Sequence, residues 1–121
     1  MEVTIIRHRA TRRGVIGTLY VDDFECFTME RRSDMLEEGA HVARIAYNGN
    51  LMIGDHLVIE QGRREGFDGH IILGLGAEQL VLSETSPAYQ AFRRIVSGAK
   101  DDPINVEVID EVDYHEADGD N

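Results

Sequence analysis

The feature that most constrains this chain is the length of its apolar runs. From Glu2 to Asp110 they come in stretches of strand length, closed by Asp, Asn or Gly, and a single stretch carries the three-to-four-residue spacing of a helix. Runs this short bury little as helices. As strands they must find backbone partners elsewhere in the chain.

The first run, EVTIIRH from Glu2, alternates Val3 and Ile5 with Glu2, Thr4 and Ile6, so one face meets a core. A polar loop from Arg9 to Gly14 follows. IGTLYV and FECFTME are then separated by Asp22-Asp23, which predicts a hairpin with an acidic two-residue turn. In its second arm Phe24, Cys26 and Thr28 point one way and Glu25, Phe27 and Met29 the other, with Cys26 a small buried hydrophobe. RRSDMLEEG breaks the pattern, AHVARIAYN is the next strand, and Asn48-Gly49-Asn50 supplies a turn. LMIGDHLVIEQ is either one interrupted strand or a turn followed by a strand, and HIILG and QLVLS are two more. The helix is SPAYQAFRRIVSG: Ser86 is the expected N-cap, Pro87 the first helical residue and Gly98 the stop, with Ala88, Phe92, Ile95 and Val96 on the packed face. INVEVIDEV then offers Ile104, Val106 and Val108 to close the core. The expected fold is α+β and β-rich: a small antiparallel sheet or barrel-like domain with one packed helix in its C-terminal half.

A chain of 121 residues holds one hydrophobic core. Its charge of −11 is uneven: residues 1–32 are net +1, residues 33–98 net −4 and residues 99–121 net −8. Residues 1–112 are expected to form the domain and 113–121 a flexible acidic tail. The acidity argues against direct nucleic-acid binding, which needs clustered Lys and Arg, and no apolar run approaches the roughly 20 residues of a membrane helix. The start of the chain is apolar and then basic, the reverse of a secretory leader, and the one cysteine forms no internal disulfide. Both features place the protein in a cytoplasm, or in a particle assembled there.

Chemistry concentrates in IEQGRREGFDGHIILG, Ile59 to Gly74. Glu60, Glu65, Asp68 and His70 can be drawn as an acid and base pair or as ligands for a divalent metal, although the spacing is specific to neither. Glu60, Asp68 and His70 are the catalytic candidates, against the plainer reading of a charged connection with three glycines. Arg63 and Arg64, with Arg12 and Arg13, are the binding candidates. Arg7, Arg9, Arg12 and Arg13 read as a basic cluster in the first loop, able to meet an acidic partner or the tail. No metal and no cofactor is implied: the five histidines lack HxxxH or HExxH spacing, and Gly62, Gly66 and Gly69 lack the Gly-Lys-Ser/Thr of a phosphate loop.

Four stretches together carry a resemblance: IIRHRATRRGVIGTLYVDDFECFTMER, MLEEGAHVARI, the segment from Ile59 to Gly74, and SETSPAYQAF. They resemble an uncharacterised family of small bacterial and bacteriophage proteins over residues 3 to 109. The family's second half carries a His and a Cys reminiscent of cysteine enzymes that remodel peptidoglycan, where an imidazole activates a thiol. The resemblance puts Glu60 at the His position, Arg63 at a neighbouring Asn position and His70 at the Cys position. The nucleophile is therefore missing. The expectation is a non-catalytic binding or assembly protein of bacteriophage or prophage origin, engaging a protein partner or a second copy through strand edges and the Arg- and Gly-rich loops. Two alternatives stay open: a relative of the peptidoglycan enzymes with a lost or altered active site, and an acidic inhibitor that mimics nucleic acid through Asp101 to Asp120.

Overall fold

In the computed structural model the described residues are 1–10, 14–46, 49–54, 56–59, 62–63, 66–67, 71–78, 81–99 and 102–114; at 56–59, 62–63, 66–67, 78, 81 and 83 the description covers the backbone. The chain opens with three long strands, β1 (Glu2–Ala10), β2 (Val15–Val21) and β3 (Phe24–Glu30), then a single 3-10 turn at Arg32–Asp34. Next come β4 (Gly39–Ile45), β5 (Leu51–Ile53), β6 (His56–Ile59), β7 (Gly62–Arg63), β8 (Gly66–Phe67), β9 (Ile71–Gly74), β10 (Gly76–Glu78) and β11 (Val81–Ser83). Helix α1 (Thr85–Ser97) and strand β12 (Ile104–Asp110) complete it.

Eight of these strands close a barrel in the order β1-β12-β4-β5-β6-β9-β3-β2, so the expected β-rich α+β fold is present. Most pairs are antiparallel, but β1 lies parallel to β12 and β6 parallel to β9. Parallel neighbours need a long crossover, which alternation within a single run does not reveal. The hairpins β7-β8 and β10-β11 stand outside the ring, and β10-β11 packs on β3 and β9.

Inward positions follow the two-residue period. Val3 and Ile5 of β1, Leu19 and Val21 of β2, Cys26 of β3 and Ile104, Val106 and Val108 of β12 are buried together. Asp22-Asp23 is the expected turn, with Asp22 at φ 50°, a conformation that Asp tolerates better than most side chains. LMIGDHLVIEQ resolves into the hairpin β5-β6, and its turn uses Gly54 at φ 58°. Gly17 is required for another reason: a Cβ there would stand 2.5 Å from the Ile6 carbonyl oxygen.

The helix begins earlier than its cap residues predict. Glu84, in the left-handed region, occupies the N-cap, Thr85 is the first helical residue and Pro87 the third. Proline is tolerated there because the first four helical N–H groups have no partner within the helix. The buried face is Ala88, Tyr89, Phe92 and Val96, with Ile95 only partly covered. These residues join the cluster that holds Ile71 and Leu73, the inward side of β9, so α1 packs on the barrel's interior side. The Tyr89 hydroxyl donates to the Asn50 side chain, beside the β4-β5 connection. That anchors the helix at the end of the barrel where β12 begins and β4 finishes.

Candidate functional site

Glu60, Arg64, Glu65, Asp68 and His70 lie outside the described residues, as do Arg12 and Arg13. Arg63 is described by its backbone, in β7 paired with β8. What the structure does describe are two features that composition and spacing did not reveal: a charged cluster inside the barrel and an apolar row outside it.

The charged cluster forms at the end opposite the helix. Strand β1 carries its inward alternation past Val3 and Ile5 to Arg7, which is 2% exposed. Arg7 therefore belongs to the barrel interior and not to a basic surface loop, a correction with a simple cause: Arg7 falls on the inward side of the strand and finds its carboxylates there. A bulge at His8 lets the next inward position fall on Ala10. Glu30 of β3, 1% exposed, faces Arg7 through two parallel hydrogen bonds, Nε to Oε1 and Nη2 to Oε2, both 2.9 Å. Arg7 Nη1 donates to Asp110 Oδ2 at 3.2 Å and Nη2 to the Leu36 carbonyl. The Leu36 amide donates back to Glu30 Oε2 at 3.3 Å, which ties in the segment after the 3-10 turn.

The Tyr114 hydroxyl donates to Asp110 Oδ2 at 2.6 Å, and Asp110 Oδ1 accepts from the Val112 amide at 3.0 Å. The Arg32 guanidinium carbon lies 5.6 Å from the Tyr114 ring centre, a cation–π distance. The described residues thus run two positions into the expected tail, and Tyr114 is held.

Neither Arg7 nor Tyr114 is set to exchange a proton. Burial alone would loosen the proton of Arg7, but hydrogen bonding and charge from Glu30, reinforced by Asp110, outweigh it and raise the pKa. Burial, and then the bond to Asp110, raise that of Tyr114 above the usual phenol value. Both remain donors near neutrality. A bidentate guanidinium–carboxylate pair of this kind fixes geometry. Among the described residues no group of three or more His, Cys, Asp or Glu could hold a metal.

Cys26 is inward, as expected of a small hydrophobe, and burial pushes its thiol to about 12. A thiol so protonated is a poor nucleophile.

The outer face has a different character. The register sets Ile109, Ile6, Thr18 and Phe27 side by side across β12, β1, β2 and β3. At strand spacing this row is about 14 Å long. Phe27 is 37% exposed, as is Tyr20 in the adjacent row, while Ile6, Thr18 and Ile109 are half-buried; Val42 on β4 reaches 72%. On the other side of Phe27 the same face is covered: Met29 and Ile72 point outward yet are buried where β10-β11 packs on β3 and β9. Among the described residues, exposed carboxylates border the row at Glu2, Glu25, Glu107, Asp22 and Asp23, with Arg9 and Arg31 exposed toward the other end of β1 and β3.

Across β1, β2 and β3 the wall has no open strand edge, since each of these strands is hydrogen-bonded on both sides. The register that builds the row was not readable from any single segment. Its components are: alternation alone puts Phe27 on the face opposite Cys26.

Fold and site together define a small mixed β-barrel with a helix at one end, an ionic cluster at the other and an apolar row on its wall. Apolar side chains fill the inside while Glu2, Glu25 and Glu107 stand outside, the reverse of a barrel built to face lipid. No helix among the described residues is long and apolar enough to cross a membrane. Comparison with protein-family models, with curated proteins and with solved structures found no match.

Proposed function

We propose that this protein is a non-catalytic binding or assembly protein that presents the outer wall of its barrel to a protein partner. The observation that carries the reading is the contiguous row from Ile109 to Phe27, with Tyr20 beside it. Apolar residues exposed singly are ordinary on any surface; here exposed Phe27 and Tyr20 adjoin the half-buried Ile6, Thr18 and Ile109 in one patch, and contiguous apolar patches are what mark contact surfaces. Among the described residues the interior is filled by side chains and an ion cluster, which favours contact through the outside. The resemblance over residues 3 to 109 supports a bacteriophage or prophage setting, in the host cytoplasm or the virion.

Hydroxyl-radical footprinting of the protein in its producing cells' extract, against the purified protein, tests this. Tyr20 and Phe27 are expected to be protected in the extract, while Tyr114 changes little. Equal labelling of Tyr20 and Phe27 in both samples contradicts the reading. Turnover of cell-wall peptide that disappears in His70→Ala would replace it with an enzyme.

A further inference from the structure

The row and its border define what kind of partner fits. We infer that the outer wall binds a basic amphipathic helix of a partner protein, lying across the strands; this rests on the reading of that wall as a contact surface.

Three observations lead there. First, Ile6, Thr18 and Phe27 sit on strands paired on both sides at the row, so a partner meets this part of the wall through side chains rather than by adding a strand. Second, the row crosses the strands over about 14 Å. A helix covers that length in two to three turns of about 5.4 Å each, and presents apolar residues at i, i+3 or i+4, and i+7 along it. Ile109, Ile6 and Phe27 give such residues apolar contacts, and Thr18, bonded through its hydroxyl to His8 at 3.0 Å, turns a methyl-bearing side chain to the same row. Third, the border is acidic. Glu25 and Glu107 flank the row next to Tyr20 and Thr4, and Glu2, Asp22 and Asp23 extend the negative field.

The same border argues against a second copy. A chain of net charge −11 that met itself here would set Glu25 and Glu107 of one copy against the acids of another. Like charges brought together across an interface oppose it. Lys and Arg on the flanks of an amphipathic helix relieve the repulsion and supply long-range attraction.

The test uses the full chain and three synthetic peptides of about 18 residues, long enough to hold helical structure. One has Leu at i, i+3, i+4 and i+7 with Lys and Arg elsewhere. The second is a scramble of that composition without the stripe, and the third carries Glu in place of the cations. Amide chemical-shift mapping locates each contact and titration gives its affinity. The basic striped peptide is expected to bind tightest and to shift the amides of Ile6, Thr18 and Phe27. Phe27→Ser is expected to weaken it at least about tenfold, the loss typical of an anchoring aromatic. Thr18→Lys puts a cation into the row and guards against misfolding of the Phe27 variant. Glu25→Gln with Glu107→Gln should weaken binding less and flatten its salt dependence.

Equal binding of the scramble, or shifts spread over acidic residues away from the row, overturns the inference by reducing the attraction to charge alone. Tighter binding of the acidic peptide overturns it too. Sedimentation showing a dimer that Thr18→Lys dissociates keeps the wall as a contact surface but replaces the helix by a second copy. A monomer whose row amides respond to none of the peptides rejects the helix, and the footprint at Tyr20 and Phe27 then decides separately whether the wall is a contact surface.

Discussion

The two ends of the barrel are closed by opposite chemistry. At one, α1 brings Ala88, Tyr89, Phe92 and Val96 onto an apolar interior that includes Val3, Val21 and Ile104. At the other, Arg7, Glu30 and Asp110 occupy inward positions of β1, β3 and β12, with Tyr114 tied to Asp110. The apolar end gains from removal of area from water and tolerates imperfect geometry. The ionic end has value only while all its partners are present, since a buried charge left alone is far costlier than a missing methyl group.

The largest effects should come from breaking either closure. Phe92→Ala and Glu30→Ala are each expected to destabilise by about 3–5 kcal/mol in urea denaturation, the first through a cavity and the second because the buried Arg7 guanidinium loses its bidentate carboxylate. A double variant separates the mechanisms. Arg7→Met with Glu30→Leu removes both charges, and is expected to recover at least half of what Glu30→Ala loses. No single partner change restores Phe92→Ala in the same way.

Tyr114→Phe should cost about 1.5 kcal/mol, the worth of a hydrogen bond to a carboxylate, and hydrogen exchange should report the loss first at the Val112 amide. Thr28 sharpens the contrast from inside. Its buried hydroxyl has no hydrogen-bond partner among the described residues, so Thr28→Val is expected to raise stability by about 1 kcal/mol, seen as a higher thermal midpoint.

A further contrast is a pH dependence, confined to the alkaline range. Cys26 and Tyr114 both hold their protons more tightly folded than unfolded. Their contribution is therefore complete below about pH 9, where the unfolded thiol begins to ionise, and is lost as the pH rises toward about 12 for Cys26 and higher for Tyr114. The urea midpoint should fall across that alkaline range. It should fall less in a Cys26→Ala, Tyr114→Phe double variant.

The apolar end was legible in sequence because periodicity states it directly. Val3 and Ile5, the Asp22-Asp23 hairpin, the amphipathic helix and the inward face of β12 all follow from two- or four-residue spacing. The ionic end was hidden by the same reasoning. Arg7 stands where alternation demands an inward residue, but a lone arginine beside Arg9, Arg12 and Arg13 reads as surface unless its carboxylates are known. Those carboxylates lie 23 and 103 positions away. The outer row was hidden for a related reason, since Ile6, Thr18, Phe27 and Ile109 become neighbours only through register. Helix capping misled more locally: Ser86 and Pro87 fit the first turn in several frames, and the left-handed Glu84 sets the one adopted.

The parallel seam between β1 and β12 has a consequence for how the protein is made. Glu2 pairs beside Asn105, and the Met1 ammonium donates to the Pro103 carbonyl at 3.0 Å. During translation β1 can zip onto β2, and β2 onto β3, as soon as those neighbouring strands emerge, but the other side of β1 stays bare until β12, about a hundred residues further along the chain, has left the ribosome at roughly 5–20 residues per second. For several seconds the nascent chain carries an open curl with an unpaired flank and the Arg7 guanidinium short of Asp110. That interval is when a chaperone, or a second nascent chain, has its chance at the seam.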